Sequence, residues 1–174
     1  MGRLVRDVQE RRTEQALISP LALGVAAVAV TVDHATKWWA LNELDDRNID
    51  IIGSFRLNLV HNDGGAFGLG GRYGFVFGIA AIAAVLFIVR IGGAFASRTA
   101  QVGIGLVLAG AVGNLLDRVF RAGEGFLGGD VVDLFDLQWW PVFNVADVCL
   151  YVGAGLLVLF GGRERPGAGG PRDA

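Results

Sequence analysis

The sequence is poor in the residues on which several enzyme chemistries depend. Its 174 residues include one cysteine, two histidines and a single lysine. One cysteine, Cys149, excludes an internal disulfide and supplies no metal-ligand spacing. The two histidines, His34 and His61, cannot form the HExxH pattern of a zinc peptidase, so we interpret both as polar residues near a membrane surface. None of the three serines stands in a nucleophile motif, which disfavours a serine–lysine peptidase.

Charged residues are also scarce. They make up 18% of the chain, whereas hydrophobic residues make up 53%. A soluble domain usually carries about 25% charged residues. The net charge of -2 and the absence of a basic stripe exclude nucleic acid as an expected partner. A single-domain integral membrane protein is the class that this composition indicates.

Four apolar stretches are candidates for membrane spans. They run from residue 16 to about 41, from 73 to 89, from 99 to 116, and from Pro141 to 160. We therefore predict an all-α membrane protein with four transmembrane helices. Gly105, Ala109 and Gly113 in the third stretch recur every four residues and predict close packing against a neighbouring helix. The flanking segments are predicted to be a cytoplasmic leader (1–15) and a disordered cytoplasmic tail (161–174) around a four-span domain (16–160).

The connection between the first two spans, residues 42–71, has a different pattern. Phe55, Leu57 and Leu59 recur at a period of two, which predicts a short strand or hairpin. Most basic residues lie at the termini and in the connection 90–98, so these parts are predicted to be cytoplasmic. The small β-like platform between helices 1 and 2 is then extracytoplasmic.

Four aspartates interrupt the apolar background. With this orientation, Asp33, Asp117 and Asp147 lie at a similar depth near the outer ends of three spans, and Asp133 lies on the outward connection between the last two. Carboxylates inside or beside apolar helices are costly, so they are functional candidates. Two aspartates that share one proton can activate water and cleave a peptide bond.

Nearby residues distinguish the four aspartates. Asp33 has Lys37 four residues later, a favourable helical ion pair, and Asp117 is followed at once by an arginine. Asp133 and Asp147 are left as the less obviously neutralised pair, although spacing alone does not prove that choice.

Two asparagines repeat one spacing. Asn114 stands three residues before Asp117, and Asn144 stands three residues before Asp147, which places each pair on one helix face. A non-catalytic scaffold would leave this repetition unexplained. A proton- or ion-coupled transporter is a further alternative, but a relay needs carboxylates at several depths and these share one depth.

Five segments in order, DHATK, NDGGAFG, GAVGNLLDR, VVDLF and FNVAD, resemble the motifs of the bacterial lipoprotein signal peptidases, the signal peptidase II family. The resemblance covers roughly residues 20–160. Two departures are Gly65, where the family often has alanine, and a longer segment between Arg118 and Val131. The resemblance implies an intramembrane aspartyl endopeptidase that removes the signal peptide from diacylglyceryl-modified prolipoproteins, cleaving before the lipidated cysteine.

The resemblance also implies roles for particular residues. Asp133 and Asp147 correspond to the catalytic dyad. Substrate binding or dyad support is implied for Asn62, Asn114, Arg118 and Asn144, and structural support for Asp33, Lys37 and Asp117. No metal or organic cofactor is expected, and the partners are the prolipoprotein substrates and membrane lipids. The expected location is the bacterial cytoplasmic membrane, with both termini cytoplasmic and the active site near the outer face.

Overall fold

A computed structural model describes residues 18–64, 74–95, 97–123 and 125–162. The predicted leader (1–15), the departure at Gly65 and residues 163–174 of the predicted tail lie outside these ranges. The described residues form four helices, α1 (Pro20–Glu43), α2 (Gly74–Ile91), α3 (Arg98–Phe120) and α4 (Val145–Phe160), and three strands, β1 (Ile49–Ile52), β2 (Phe55–Asn62) and β3 (Val131–Asp136). A short 3-10 turn, Gly92–Ala94, follows α2.

Serine caps define the starts of two helices. The Ser19 hydroxyl accepts a hydrogen bond from the Ala22 amide at the start of α1, and Ser97 accepts one from the Ala100 amide at the start of α3. Such caps satisfy backbone N–H groups that have no partner within the helix. The serines therefore fix where the two apolar segments become helical.

The fourth helix starts later than its predicted start near Pro141. Asn144 is the N-cap of α4, and its side chain and that of Asp147 each accept a hydrogen bond from the other residue's backbone amide, a capping box. The residues before the cap stay extended, because Phe143 exchanges backbone hydrogen bonds with Phe135 of β3. The capping box thus overrides the preference of proline for the first helical turn.

Helix α3 lies at the centre of the bundle and packs against α1, α2 and α4. The predicted small-residue face is confirmed. A methyl group added at Gly105 would lie 2.5 Å from the Ala22 carbonyl oxygen of α1, and one added at Gly113 would lie 2.7 Å from an Asp33 carboxylate oxygen. Glycine is required there because the neighbouring backbone or buried carboxylate leaves no room for a side chain.

The strands form one antiparallel sheet in the order β1-β2-β3. β1 and β2 confirm the predicted hairpin, whereas β3 was not predicted, so the all-α description is extended to helices plus a small sheet. Asn62 pairs with Val131, and Val60 pairs with Asp133. Leu134 of β3 is buried with residues at the end of α1, which attaches the sheet to the helical bundle.

Two of the described helices, α2 and α3, are long and apolar enough to cross a membrane. Helix α4 is apolar but shorter, with 16 residues. Helix α1 is long enough, with 24 residues, but its most apolar stretch is less apolar than those of α2 and α3 because it carries Asp33, His34 and Lys37 in its second half. Four spans therefore remain a prediction.

Candidate active site

Asp133 and Asp147 line the same cavity, which has a volume of about 440 Å³. Asp133 belongs to β3 and is only 2% exposed. Asp147 belongs to the first turn of α4, where the capping box fixes its side chain. The sheet and the start of α4 thus bring together two aspartates that lie on separate elements.

The cavity has apolar walls and one polar end. Its walls come from α2, α3 and α4 and include Phe77, Ala80, Ala81, Ala84, Gly110, Ala111, Leu150 and Tyr151. Its polar end includes Asn62, Asn114, Arg118, Asp133 and Asp147. Such a cavity suits an amphiphilic ligand, because it offers apolar contact along its length and hydrogen bonds at one end.

Asp133 accepts two hydrogen bonds from side-chain amides. Asn62 Nδ2 lies 2.9 Å from Oδ2, and Asn144 Nδ2 lies 2.7 Å from Oδ1. Burial raises the pKa of Asp133 to about 7; the two amides oppose this shift and the negative charge of Asp147 adds to it. A carboxyl group with this pKa holds a proton over part of the neutral range and can release it there, as a general acid must.

Asp147 also receives two hydrogen bonds. Asn114 Nδ2 donates to Oδ1 at 2.9 Å, and the backbone amide of Asn144 donates to Oδ2 at 3.2 Å. Asn144 therefore contacts both aspartates, one through its side chain and the other through its backbone. The two carboxyl groups belong to one hydrogen-bonded unit.

A buried ion cluster lies behind the dyad. Lys37 Nζ is 2.8 Å from Asp33 Oδ2 and 2.8 Å from Asp117 Oδ2, and all three side chains are at most 1% exposed. The predicted pair between Asp33 and Lys37 is thus present. Asp117 also pairs with Arg121, so two carboxylates are balanced by two basic groups. A buried charge set of this kind is tolerated only when it is paired throughout.

The same cluster ties four elements together. Asp33 Oδ1 accepts a hydrogen bond of 2.8 Å from the Ala146 amide in the first turn of α4. Asp117 Oδ2 accepts one of 3.3 Å from the Val132 amide of β3. α1, α3, β3 and α4 are therefore joined directly beside the dyad, which fits the structural role implied for these residues.

Arg118 lies at the polar end of the cavity with 6% of its surface exposed. Its Nη1 donates to the Gly129 carbonyl at 3.2 Å, and its guanidinium carbon lies 5.7 Å from the centre of the Phe77 ring. No carboxylate lies within ion-pair distance of Arg118 among the described residues. Its guanidinium group lines the cavity, and the charges of four aspartates act on it: Asp133, Asp130, Asp63 and Asp117.

Sequence reasoning missed two features of this site. The capping box was visible as Asn-x-x-Asp before an apolar run, which is a variant of a known helix-start signal. The second is Leu127, which has a positive φ of 57° and packs against Gly78 of α2, where an added methyl group would lie 2.8 Å from Leu127 Cβ. No sequence pattern indicates a leucine in that conformation.

A model of the family described as signal peptidase (SPase) II matches residues 25–161. The chain belongs to the signal peptidase II family. The recognition made from the five motifs is therefore confirmed. The match includes both candidate catalytic aspartates and every other candidate site residue.

Individual relatives agree with this family. The lipoprotein signal peptidase of Mycobacterium leprae (strain Br4923) is 41% identical over 165 residues, which cover 91% of this chain and 80% of the relative. That of Mycolicibacterium smegmatis (strain ATCC 700084 / mc(2)155) is 44% identical over 158 residues, covering 84% and 67%. These relatives are bacterial proteins.

Two solved structures of bacterial membrane enzymes, obtained by the in meso method at 2.3 and 1.9 Å resolution, have a similar fold. Each superposes with a TM-score of 0.66, at 28% and 27% sequence identity, and each covers 79% of this chain. The match covers 85% of the first structure and 90% of the second. The helices and the small sheet therefore form the fold of a membrane-embedded bacterial enzyme.

Proposed function

We propose that this chain removes the signal peptide from diacylglyceryl-modified prolipoproteins, and that Asp133 and Asp147 are its catalytic dyad. Membership of the signal peptidase II family makes the chain a protease and gives no support to the transporter alternative. The observation that carries the dyad is the position of the two aspartates, which line the polar end of an apolar cavity within one hydrogen-bonded unit.

Peptide hydrolysis by this dyad needs one ionised and one protonated aspartate. The ionised carboxylate accepts a proton from the attacking water, while the protonated carboxyl group donates its proton to the oxygen of the scissile carbonyl. When the tetrahedral intermediate collapses, the C–N bond breaks and the leaving nitrogen gains a proton. The raised pKa of Asp133 suits it to the protonated role at neutral pH.

The cavity fits a substrate that is part lipid and part peptide. Small residues of α2 and α3, such as Ala81, Ala84 and Ala111, leave an apolar channel for acyl chains or the signal helix. At the polar end, Asn62 and Arg118 have donor groups that can hold the peptide backbone beside the dyad. This placement puts the scissile bond near the end of the helices, where water is available.

We propose further that all four helices span the membrane. The charges that lower the hydropathy of α1 do not face lipid, because Lys37 has three oxygen atoms around its three N–H donors. Trp38 and Trp139, at the same end as the sheet, are 69% and 72% exposed, as in an aromatic belt at a membrane surface. Arg90 and Arg98 lie at the opposite end of their helices, and together with the basic residues that the sequence carries near both termini they support cytoplasmic termini and an extracytoplasmic sheet.

Cysteine labelling of intact cells tests this orientation. Ser54 lies in the turn between β1 and β2, and Gly162 follows α4; both are exposed. A membrane-impermeant thiol reagent should label the Ser54→Cys variant and not the Gly162→Cys variant until the cells are permeabilised. The reverse pattern would refute the proposed orientation.

A cleavage assay tests the activity. The purified chain is incubated with a diacylglyceryl-modified prolipoprotein peptide and, separately, with the same peptide without lipid. We expect cleavage of the lipidated peptide before its modified cysteine and little cleavage of the other. The Asp133→Asn variant, purified by the same procedure, controls for contaminating proteases. Absence of cleavage by well-folded parent protein would contradict the proposed function.

A further inference from the structure

Lys37 contacts more than the two carboxylates that neutralise it. Its third polar neighbour is Asn114, whose Oδ1 lies 3.1 Å from Nζ. An ammonium group has three donors and no acceptor, so each of its three partners must present an oxygen. The Asn114 side chain is thereby held with its oxygen towards Lys37, and its Nδ2 is left to face Asp147.

This orientation determines what Asp147 can do. Its Oδ1 faces Nδ2 of Asn114, and its Oδ2 faces the backbone N–H of Asn144, which can only donate. Both carboxylate oxygens are therefore held as acceptors. Hydrogen bonds donated to a carboxylate stabilise its ionised form more than its protonated form, so the arrangement favours ionised Asp147.

The amides around Asp133 are oriented in a different way. Asn62 Oδ1 accepts from the Gly64 amide, and Asn144 Oδ1 accepts from the Asp147 amide, so neutral backbone groups orient both side chains. By hydrogen bonds, Lys37 reaches Asp133 only through two successive side-chain amides, those of Asn114 and Asn144, although its positive charge also acts on Asp133 across space. The positive charge is thus linked more directly to Asp147 than to Asp133.

Other charged and titratable groups surround Asp147. They are Asp33 from α1, Asp117 and Arg118 from α3, Asp133 from β3, and Cys149 and Tyr151 from α4 itself. The only charged residue of α2, Arg90, lies in its last turn at the far end of the helix. Asp33 pairs with Lys37, and Asp117 pairs with both Lys37 and Arg121. Lys37 is the basic residue that also hydrogen-bonds Asn114, the side chain that donates to Asp147.

We propose that Lys37 is a positioning residue for the reaction, which acts through the Asn114 amide to keep Asp147 as the ionised member of the dyad. Asp147 then accepts the proton of the attacking water, and Asp133 donates its proton to the substrate carbonyl oxygen. This inference rests on the proposed function and assigns Lys37 more than structural support.

A charge-balanced variant tests the inference. Lys37→Met alone would leave a buried carboxylate unpaired and endanger folding. Adding Asp33→Asn removes one charge of each sign, retains the pair between Asp117 and Arg121, and leaves an amide oxygen to accept from Ala146. The double variant is compared with Asp33→Asn, so that the comparison isolates Lys37.

The readout is the pH profile of kcat and KM for cleavage of the lipidated peptide. We expect Lys37→Met in the Asp33→Asn background to lower kcat at neutral pH at least tenfold, with KM changed less than twofold. The acid limb of the profile should move up by about one pH unit, as expected when a nearby opposite charge is lost. A purely structural Lys37 would lower the yield of folded protein and leave the acid limb in place, which would overturn the inference.

Asn114→Ala provides a second test that keeps the ion cluster intact. If Lys37 acts through this amide, Asn114→Ala should also move the acid limb to higher pH. When both substitutions are combined, the shift should be smaller than the sum of the two separate shifts. An unmoved limb in Asn114→Ala, or full additivity, would contradict the proposed route. Failure of the parent protein to cleave the peptide would instead contradict the proposed function, so the two failures are distinguishable.

Discussion

Gly110 lies where α3 meets the first turns of α4, beside the dyad. A methyl group added at this glycine would lie 2.6 Å from Leu150 Cγ and closer still to the carbonyl oxygen of Ala146. Carbon atoms attract each other at about 3.5 to 4.0 Å, so Gly110→Ala requires α4 to move by about 1 Å. Leu150 could change rotamer, but the Ala146 carbonyl is backbone and can be relieved only by moving the helix.

The matched control for this substitution is Gly24→Ala. Gly24 lies inside α1, and a methyl group there would have no atom within 4 Å. Both variants gain the same helix propensity of about 1 kcal/mol. Their difference therefore isolates the overpacking at Gly110, which we expect to cost about 1 to 3 kcal/mol.

The effect on catalysis should exceed the effect on stability. Asp147 follows Ala146 directly, so a shift of α4 displaces one catalytic carboxyl group relative to Asp133 on β3. A misplacement of about 1 Å can lower the rate about 100-fold. We expect Gly110→Ala to lower kcat by about that factor, while Gly24→Ala retains the parent rate.

The assay compares both variants and the parent in one detergent. Thermal unfolding gives the relative stability, and cleavage of the lipidated peptide gives kcat. If Gly110→Ala matched Gly24→Ala in both thermal stability and kcat, the close approach of α3 and α4 at Gly110 would be refuted.

Two further predictions concern the dyad itself. Asp133→Asn and Asp147→Asn should each abolish turnover while the protein still binds lipidated peptide, because asparagine keeps the shape but cannot exchange the proton; normal turnover in either variant would remove that residue from the dyad. Because burial raises the pKa of Asp133 to about 7, the folded state binds this proton more tightly than the unfolded state. Its contribution to stability should therefore be lost as pH rises from about 4 through about 7. Between about pH 4 and about pH 7, the thermal stability should decline less for Asp133→Asn than for the parent protein. Equal declines in the two proteins would show that Asp133 does not contribute to the pH dependence of stability.

Local patterns were sufficient to predict much of the fold. The apolar runs located the helices, the alternation in residues 55–59 located a hairpin, and the spacing between Asp33 and Lys37 identified an ion pair that the structure contains. These features depend on residues close together in the sequence. The third strand could not be predicted in the same way, because a short apolar run such as VVDLF fits a strand or a buried helix equally well and its partner, β2, lies far away in the sequence.

The repeated Asn-x-x-Asp spacing shows why the site was harder to predict. Asn114 and Asp117 lie within α3, share one face as predicted, and both contact Lys37. Asn144 and Asp147 have the same spacing but form a capping box, because the helix begins between them. One pattern therefore has two structural meanings, and the position of the helix start decides between them.

Hydropathy underestimates α1 for a reason that also concerns catalysis. Asp33 and Lys37 lower the mean hydropathy of this helix, so that only α2 and α3 among the described helices are long and apolar enough to cross a membrane by length and composition alone. They pair with each other, but their remaining partners lie elsewhere: Lys37 contacts Asp117 and Asn114 of α3, and Asp33 accepts a hydrogen bond from the Ala146 amide of α4. The polar cost of α1 is therefore fully offset only when α3 and α4 are packed against it. Because those contacts also orient the side chains that hold Asp147, assembly of the helices and assembly of the dyad are the same event.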